Sequence, residues 1–95
     1  MIERHVTFEV FPDKTQDFEK LFGEEYRPAM ASMPGFIKVD LLCEQDKPNF
    51  YQMVIRFETA DYAAGWRASP EHQALSPRLK SLYSESQLQV YEVIP

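Results

Sequence analysis

The stretch FETADYAAGWRASPEHQALSPRLKSL, residues Phe57 to Leu82, decides how this chain folds. It leaves an alternating apolar run and enters a helical one that carries Trp66. Thr59 stands where an N-cap belongs, and Asp61 falls in the first turn, where a negative charge meets the positive end of the helix dipole. The pattern then restarts at Ser69-Pro70 and again at Ser76-Pro77. A Ser ahead of a Pro reads as an N-cap followed by a first helical position, because the N–H that Pro lacks would be unpaired there anyway. The expectation is a strand followed by short helical pieces instead of one rod, with the indole of Trp66 and the imidazole of His72 held beside a sheet. Such a pair can wall a pocket; it can equally be packing.

The strand that feeds this region runs from Phe50 to Phe57, with Tyr51, Met53, Ile55 and Phe57 on one face and Phe50, Gln52, Val54 and Arg56 on the other. Ahead of it, Gln45 to Asn49 reads as a hairpin-like connection to a strand from Phe36 to about Glu44, with Ile37, Val39, Leu41 and Cys43 on one face. Met33-Pro34-Gly35-Phe36 is a turn that needs the freedom of Gly35. A helix precedes it, capped by Asp13 or Thr15, with the apolar stripe Phe18, Leu21, Phe22, Tyr26, Met30 and Met33. Pro28 should kink or restart that helix, since it removes a donor and crowds the preceding turn. Arg4 to Phe11 alternates as a first strand, with Val6, Phe8 and Val10 on one side, and Gln87 to Ile94 closes the chain as a fourth.

The order is therefore β-α-β-β-α-β, the ferredoxin-like α+β arrangement, in which an antiparallel four-stranded sheet carries two helices on one face. Phe11, Leu42, Phe50, Val54, Tyr91 and Val93 fall on the other face, among polar residues. With seven Phe, five Tyr, four Met and one Trp in 95 residues, that is more apolar mass than one layer of helices hides. A chain of this length buries only about 60–65% of its unfolded surface. Two sheets meeting face to face, as an eight-stranded barrel-like homodimer with helices outside, is the expected resolution. One domain spanning 1–95 is all the length accommodates.

Composition excludes several function classes. A formal net charge of −5, with no Lys/Arg cluster, argues against nucleic acid and anionic lipid. Cys43 is the lone cysteine, so no internal disulfide forms, and no metal site is expected from its surroundings or from histidines 67 positions apart. Three glycines, at 23, 35 and 65, make no phosphate loop. No apolar run is long enough to span a membrane, and Met1-Ile2-Glu3-Arg4 does not open a signal peptide, so a soluble cytoplasmic protein is expected.

The order of elements, the MPGF turn at Met33 to Phe36 and above all FETADYAAGWRASPEHQAL resemble the antibiotic-biosynthesis monooxygenase (ABM) family of dimeric α+β barrels. The resemblance covers essentially the whole chain. It implies a small homodimer, and among its possible activities are oxygenases that oxidise quinols or polyketide aromatics without metal or flavin, haem-degrading enzymes and isomerases. In the haem-degrading members a first-strand Asn, a second-helix Trp and a later His act together. Trp66 matches the Trp, but the Asn position falls near Val6 and the iron ligand at Ser76, so that activity is not implied.

The quinol-oxidising members tolerate a His shortly after the Ser/Thr-Pro turn, which His72 matches to within one residue. The resemblance then implies an enzyme without a bound cofactor, with His72 and Trp66 as catalytic residues. His72, in the first turn of a helix, would be kept neutral by the dipole and could accept a phenol proton. Phe8, Phe22, Tyr26, Met30 and Met53 would supply apolar walls for a small aromatic substrate, and Arg67 or Arg56 would steady a developing oxyanion. A non-catalytic dimer that binds a small aromatic molecule in the same place is the alternative. For each of these side chains a plain role stands beside the functional one: core for Trp66 and the methionines, a solvated helix face for Arg67, an exposed or capping side chain for His72.

Overall fold

Four alternating runs become four antiparallel strands, β1 (Ile2–Val10), β2 (Phe36–Glu44), β3 (Lys47–Phe57) and β4 (Tyr83–Glu92). The computed structural model describes every residue from Met1 to Pro95. The strand order is β2-β3-β1-β4, so β1 and β3 are central and β2 and β4 are edges. Between β1 and β2 lie a 3₁₀ turn (Pro12–Lys14), α1 (Thr15–Leu21), a π-helical turn (Phe22–Tyr26) and α2 (Arg27–Ala31). Between β3 and β4 lie α3 (Ala60–Ala68) and α4 (Pro70–Lys80). This is the ferredoxin-like α+β topology, with all helices on one side of the sheet.

Period-two alternation places Phe8 and Val10 of β1, and Tyr51, Met53, Ile55 and Phe57 of β3, under the helices. There they are buried against Phe18, Leu21, Phe22, Met30, Trp66, Leu75 and Leu79. Burial of each large apolar side chain contributes about 1.5–3 kcal/mol, so this layer carries most of the favourable free energy.

Local readings differ from the outcome where tertiary packing intervenes. Neither Asp13 nor Thr15 caps the first helix. Lys14 occupies that position without a side-chain bond, because the 3₁₀ turn leads straight into α1. Pro28 does not break the helix. The π-helical turn just before it widens the ladder, with the Arg27 N–H bonding the Phe22 carbonyl, and the proline then fits into the start of α2. Pro77 does not restart a helix either. It lies inside α4, where buried Leu75 and Leu79 hold the turns on either side of it to the core. β3 starts at Lys47, leaving only Gln45-Asp46 as the hairpin turn, and β4 starts four residues earlier than its own alternation suggested. In β2 the register slips between Phe36 and Lys38, so Val39 is buried and Leu41 packs on the core, while Ile37 and Cys43 are exposed.

The helix-free face is mixed. Leu42 and Tyr91 are exposed on it and Phe50 and Val54 are half-covered. Phe11 and Val93 lie just beyond the strand ends. Among them sits a polar network. Arg56 donates to Glu3 through its Nε at 2.7 Å and through a second guanidinium nitrogen, His5 donates to the same carboxylate at 2.8 Å, and the Tyr91 ring lies 4.7 Å from that of His5. The His5 bond, then the Arg56 bond, hold the Glu3 carboxyl below the usual range.

Gly35 ends the first half of the fold with φ +77°, and a Cβ there would collide with the Tyr62 ring that packs over the turn. Gly35→Ala should therefore destabilise by about 2 kcal/mol or more, from the left-handed backbone and the clash together. Urea unfolding followed by circular dichroism measures it, and a midpoint unchanged from wild type would contradict the assignment.

Candidate functional site

α3 stops at Ala68 because Ser69 is extended, with φ −68° and ψ 149°. The Ser69 hydroxyl, buried at 5% exposure, serves both helices at this break. It donates to the Trp66 carbonyl at 2.7 Å and accepts from the His72 N–H at 3.1 Å. Pro70 sets the first position of α4. The joint turns the last helical turn of α3 toward the first turn of α4, so that the rings of Trp66 and His72 meet edge to face, 5.1 Å between centroids at 84°. Tyr26, from the π-helical turn, completes a triangle at 5.4 Å from Trp66 and 6.2 Å from His72.

The electrostatics of this triangle are biased one way. Burial, then the charges of Arg4, Arg67 and Lys80, push the His72 imidazole below its ordinary 6.5, so it is neutral at pH 7. The direction agrees with the helix-dipole expectation, although desolvation leads among the causes. Burial pushes the Tyr26 phenol up to about 12, with the neighbouring Trp66 indole and the Arg4 guanidinium opposing, so it stays protonated. The half-buried Arg4 is held somewhat below its usual range by burial, then by repulsion from Arg67. A neutral base, a neutral phenol and two guanidiniums share one end of the helix-covered face.

The expected site residues are thus partly gathered. Trp66, His72 and Tyr26 come together, and Phe22 stacks beside Tyr26 at 6.3 Å. Arg67 is exposed on α3, near enough for its charge to act on His72 and Arg4. Phe8 lies elsewhere, packed on Phe18 and Tyr83 at 5.3 and 5.0 Å. Met30 and Met53, at 0% and 1% exposure, present no surface to a ligand. Arg56 is on the opposite face, held by Glu3, and cannot reach a group bound at His72. Sequence reasoning missed Arg4. The signal was available: Arg4 shares the phase of Val6, Phe8 and Val10, so a cation stands where the alternation calls for an apolar residue.

The two most prominent depressions lie apart from the triangle. One, of about 590 Å³, runs over the helix-free face past Thr7, Leu42, Phe50 and Gln52. The other, of about 480 Å³, lies on the helix surface between Lys20, Glu24 and Arg78. On the edge strand Leu88 and Val90, paired with Val6 and Arg4 and on the same face, are 48% and 51% exposed. No three His, Cys, Asp or Glu side chains converge as a set of metal ligands. No helix is long and apolar enough to cross a membrane.

The profile of the antibiotic biosynthesis monooxygenase family matches residues 1–78, and the chain belongs to that family. No curated protein matches it in sequence. Among solved structures, SnoaB, a cofactor-independent oxygenase from Streptomyces nogalater, superposes with a TM-score of 0.89 at 23% identity, over 99% of this chain and 93% of that one. A Nitrosomonas europaea protein assigned to the same monooxygenase class gives 0.90 at 19% identity with both chains fully covered. A conserved protein from Methanosarcina mazei gives 0.88 at 19%, over 95% and 89% of the two chains. At these identities the likeness is one of fold.

Two outcomes follow from this geometry. Ser69→Ala should cost about 1–2 kcal/mol, since it removes the cap and leaves buried partners unpaired. It should also shift the fluorescence of Trp66, the one tryptophan; an unchanged spectrum and unfolding midpoint would show that the joint is held by something else. The depressed His72 pKa contributes stability that is present above about pH 6.5 and lost as pH falls through the folded value, because below 6.5 the unfolded chain takes up a proton that the folded site resists. The urea midpoint should drop between pH 7.5 and 5.5 in wild type and drop less in His72→Gln.

Proposed function

We propose that the protein is a homodimeric, cofactor-independent monooxygenase that oxidises a quinol or hydroxylated aromatic molecule with dioxygen. The observation that carries this reading is the neutral His72 imidazole set against Trp66 and Tyr26, next to Arg4, in a chain of the antibiotic biosynthesis monooxygenase family. His72 takes the phenol proton, and the resulting electron-rich anion is held beside the imidazole, with Trp66 and Tyr26 packed behind it. The anion passes electrons directly to dioxygen. One oxygen atom enters a ring carbon through a peroxide and the other leaves as water, so that one ring C–H of the quinol becomes C–OH while its two phenol oxygens become quinone carbonyls, with the substrate as the only reductant. Positioning and exclusion of water are what the protein supplies.

The homodimer is supported by the helix-free face, where Leu42, Phe50, Val54 and Tyr91 surround the satisfied Glu3–Arg56–His5 network. Packing two such faces together would cover them. Sedimentation should give twice the subunit mass of 11.1 kDa at micromolar concentration, and Leu42→Arg should return the protein to monomers. A single-subunit species in wild type would remove this element of the proposal.

Dioxygen uptake with a simple hydroquinone tests the chemistry. His72→Ala should lose about 10²-fold or more in turnover with folding intact. Turnover untouched by that change would overturn the role of His72. The near-complete burial of Trp66, at 2% exposure, favours a second reading, a dimer that binds aromatic molecules without oxidising them. It predicts ligand binding with no dioxygen consumed.

A further inference from the structure

We propose that the site formed by Tyr26, Trp66 and His72 takes an aromatic ligand that bears a standing negative charge on oxygen, and that Arg4 is the residue that pairs with it. The inference rests on the functional reading above for where the ligand sits, and extends it to what the ligand is.

The chain holds 15 acidic residues against 10 Lys and Arg, and four of the ten cations are ion-paired. Arg56, Arg78, Lys38 and Lys47 each have a carboxylate within 4.0 Å. Arg4 has none, although it is half-buried on the helix-covered face of a central strand. The charged groups acting on it are Arg67, which repels it, and the phenol of Tyr26; Arg4 and Arg67, with Lys80, in turn act on His72. The acid on the adjacent strand, Glu92, shares its face two positions beyond Val90 and is not within ion-pair distance. Taking a guanidinium partly out of water without a partner costs free energy, and a second cation nearby raises the cost. An anion at this point would offset both. The guanidinium fork matches two oxygens, as in a carboxylate, or one charged phenolate oxygen.

The surroundings of Arg4 define the rest of the ligand. Val6, Leu88 and Val90 stand on the same face along β1 and β4, the latter two about half exposed, and offer a flat apolar strip beside the charge. Of the three rings, Trp66 and Tyr26 are buried and His72 is half-buried, so the imidazole is the ring that meets a planar body at its other side. A flat ring system with one anionic oxygen group satisfies the strip, the imidazole and the guanidinium together.

Calorimetric titration without dioxygen tests this with two pairs of naphthalenes. 2-Naphthoate is compared with 2-naphthamide, and 2,4-dinitro-1-naphthol, ionised at pH 7, with neutral 1-naphthol; the first pair reports a carboxylate and the second a phenolate. In at least one pair the anion should bind about tenfold more tightly. Arg4→Gln should bring that ratio to within about twofold with the circular dichroism spectrum unchanged. Should Arg4→Gln fail to fold, Arg4→Lys, which keeps the charge and loses the fork, should still cut the carboxylate preference by about threefold or the phenolate preference by less. Equal binding of anion and neutral ring in both pairs, no binding of any of the four, or a preference that survives Arg4→Gln would overturn the proposal. Anion selectivity without dioxygen uptake from any hydroquinone would leave this assignment standing and remove the oxygenase reading. Dioxygen uptake that is indifferent to ligand charge would do the reverse.

Discussion

One buried hydroxyl holds the functional end of this molecule together. Ser69 accepts the His72 N–H in the first turn of α4 and donates to the last turn of α3, so two helices that would otherwise separate at an extended residue share a single joint. Helix ends need such partners because their terminal N–H and C=O groups have none of their own. Here satisfying both ends with one side chain also fixes the angle between Trp66 and His72. Pro70 reinforces the joint by pre-setting the backbone of the next residue. The edge-to-face contact of indole and imidazole is thus a consequence of capping.

The sheet sorts charge as well as apolar surface. Alternation along β1 sends Glu3 and His5 to the helix-free face and Arg4 and Val6 to the covered one. On the first face Glu3 is paired with Arg56 and His5. On the second, Arg4 has no carboxylate within ion-pair distance, and burial, then Arg4 together with Arg67 and Lys80, keeps the imidazole neutral. A protein with net charge −5 has therefore built one basic corner, on the side where its aromatic rings converge. Low local dielectric makes that corner matter more than its count of charges suggests.

Much of this was legible in the residues. Alternation gave all four strands, the Thr59 and Ser69 caps were readable from position alone, and Gly35 marked the one backbone site that needs a left-handed conformation. Errors fell where local rules meet packing. Pro28 and Pro77 read as breaks, yet a π-helical turn accommodates the first and flanking buried leucines hold the second in α4. Phe8, Met30 and Met53 carry the right chemistry for a pocket wall, but their burial depends on depth beneath the helices, which periodicity does not encode. Arg56 was misjudged because its partner, Glu3, lies 53 residues away on another strand.

By itself the sequence determined the order of elements, the face each strand residue takes and the placing of His72 in a first helical turn, because these follow from periods of 2 and 3.6 and from caps a few residues away. Only the tertiary structure decided which side chains meet. Tyr26, Trp66, His72 and Arg4 come from four different elements, and the pKa values of Tyr26, His72 and Arg4 depend on burial and on charges that the chain brings near only once it has folded. Short-range rules set direction along the backbone. Neighbourhood across the fold is set by how the layers pack.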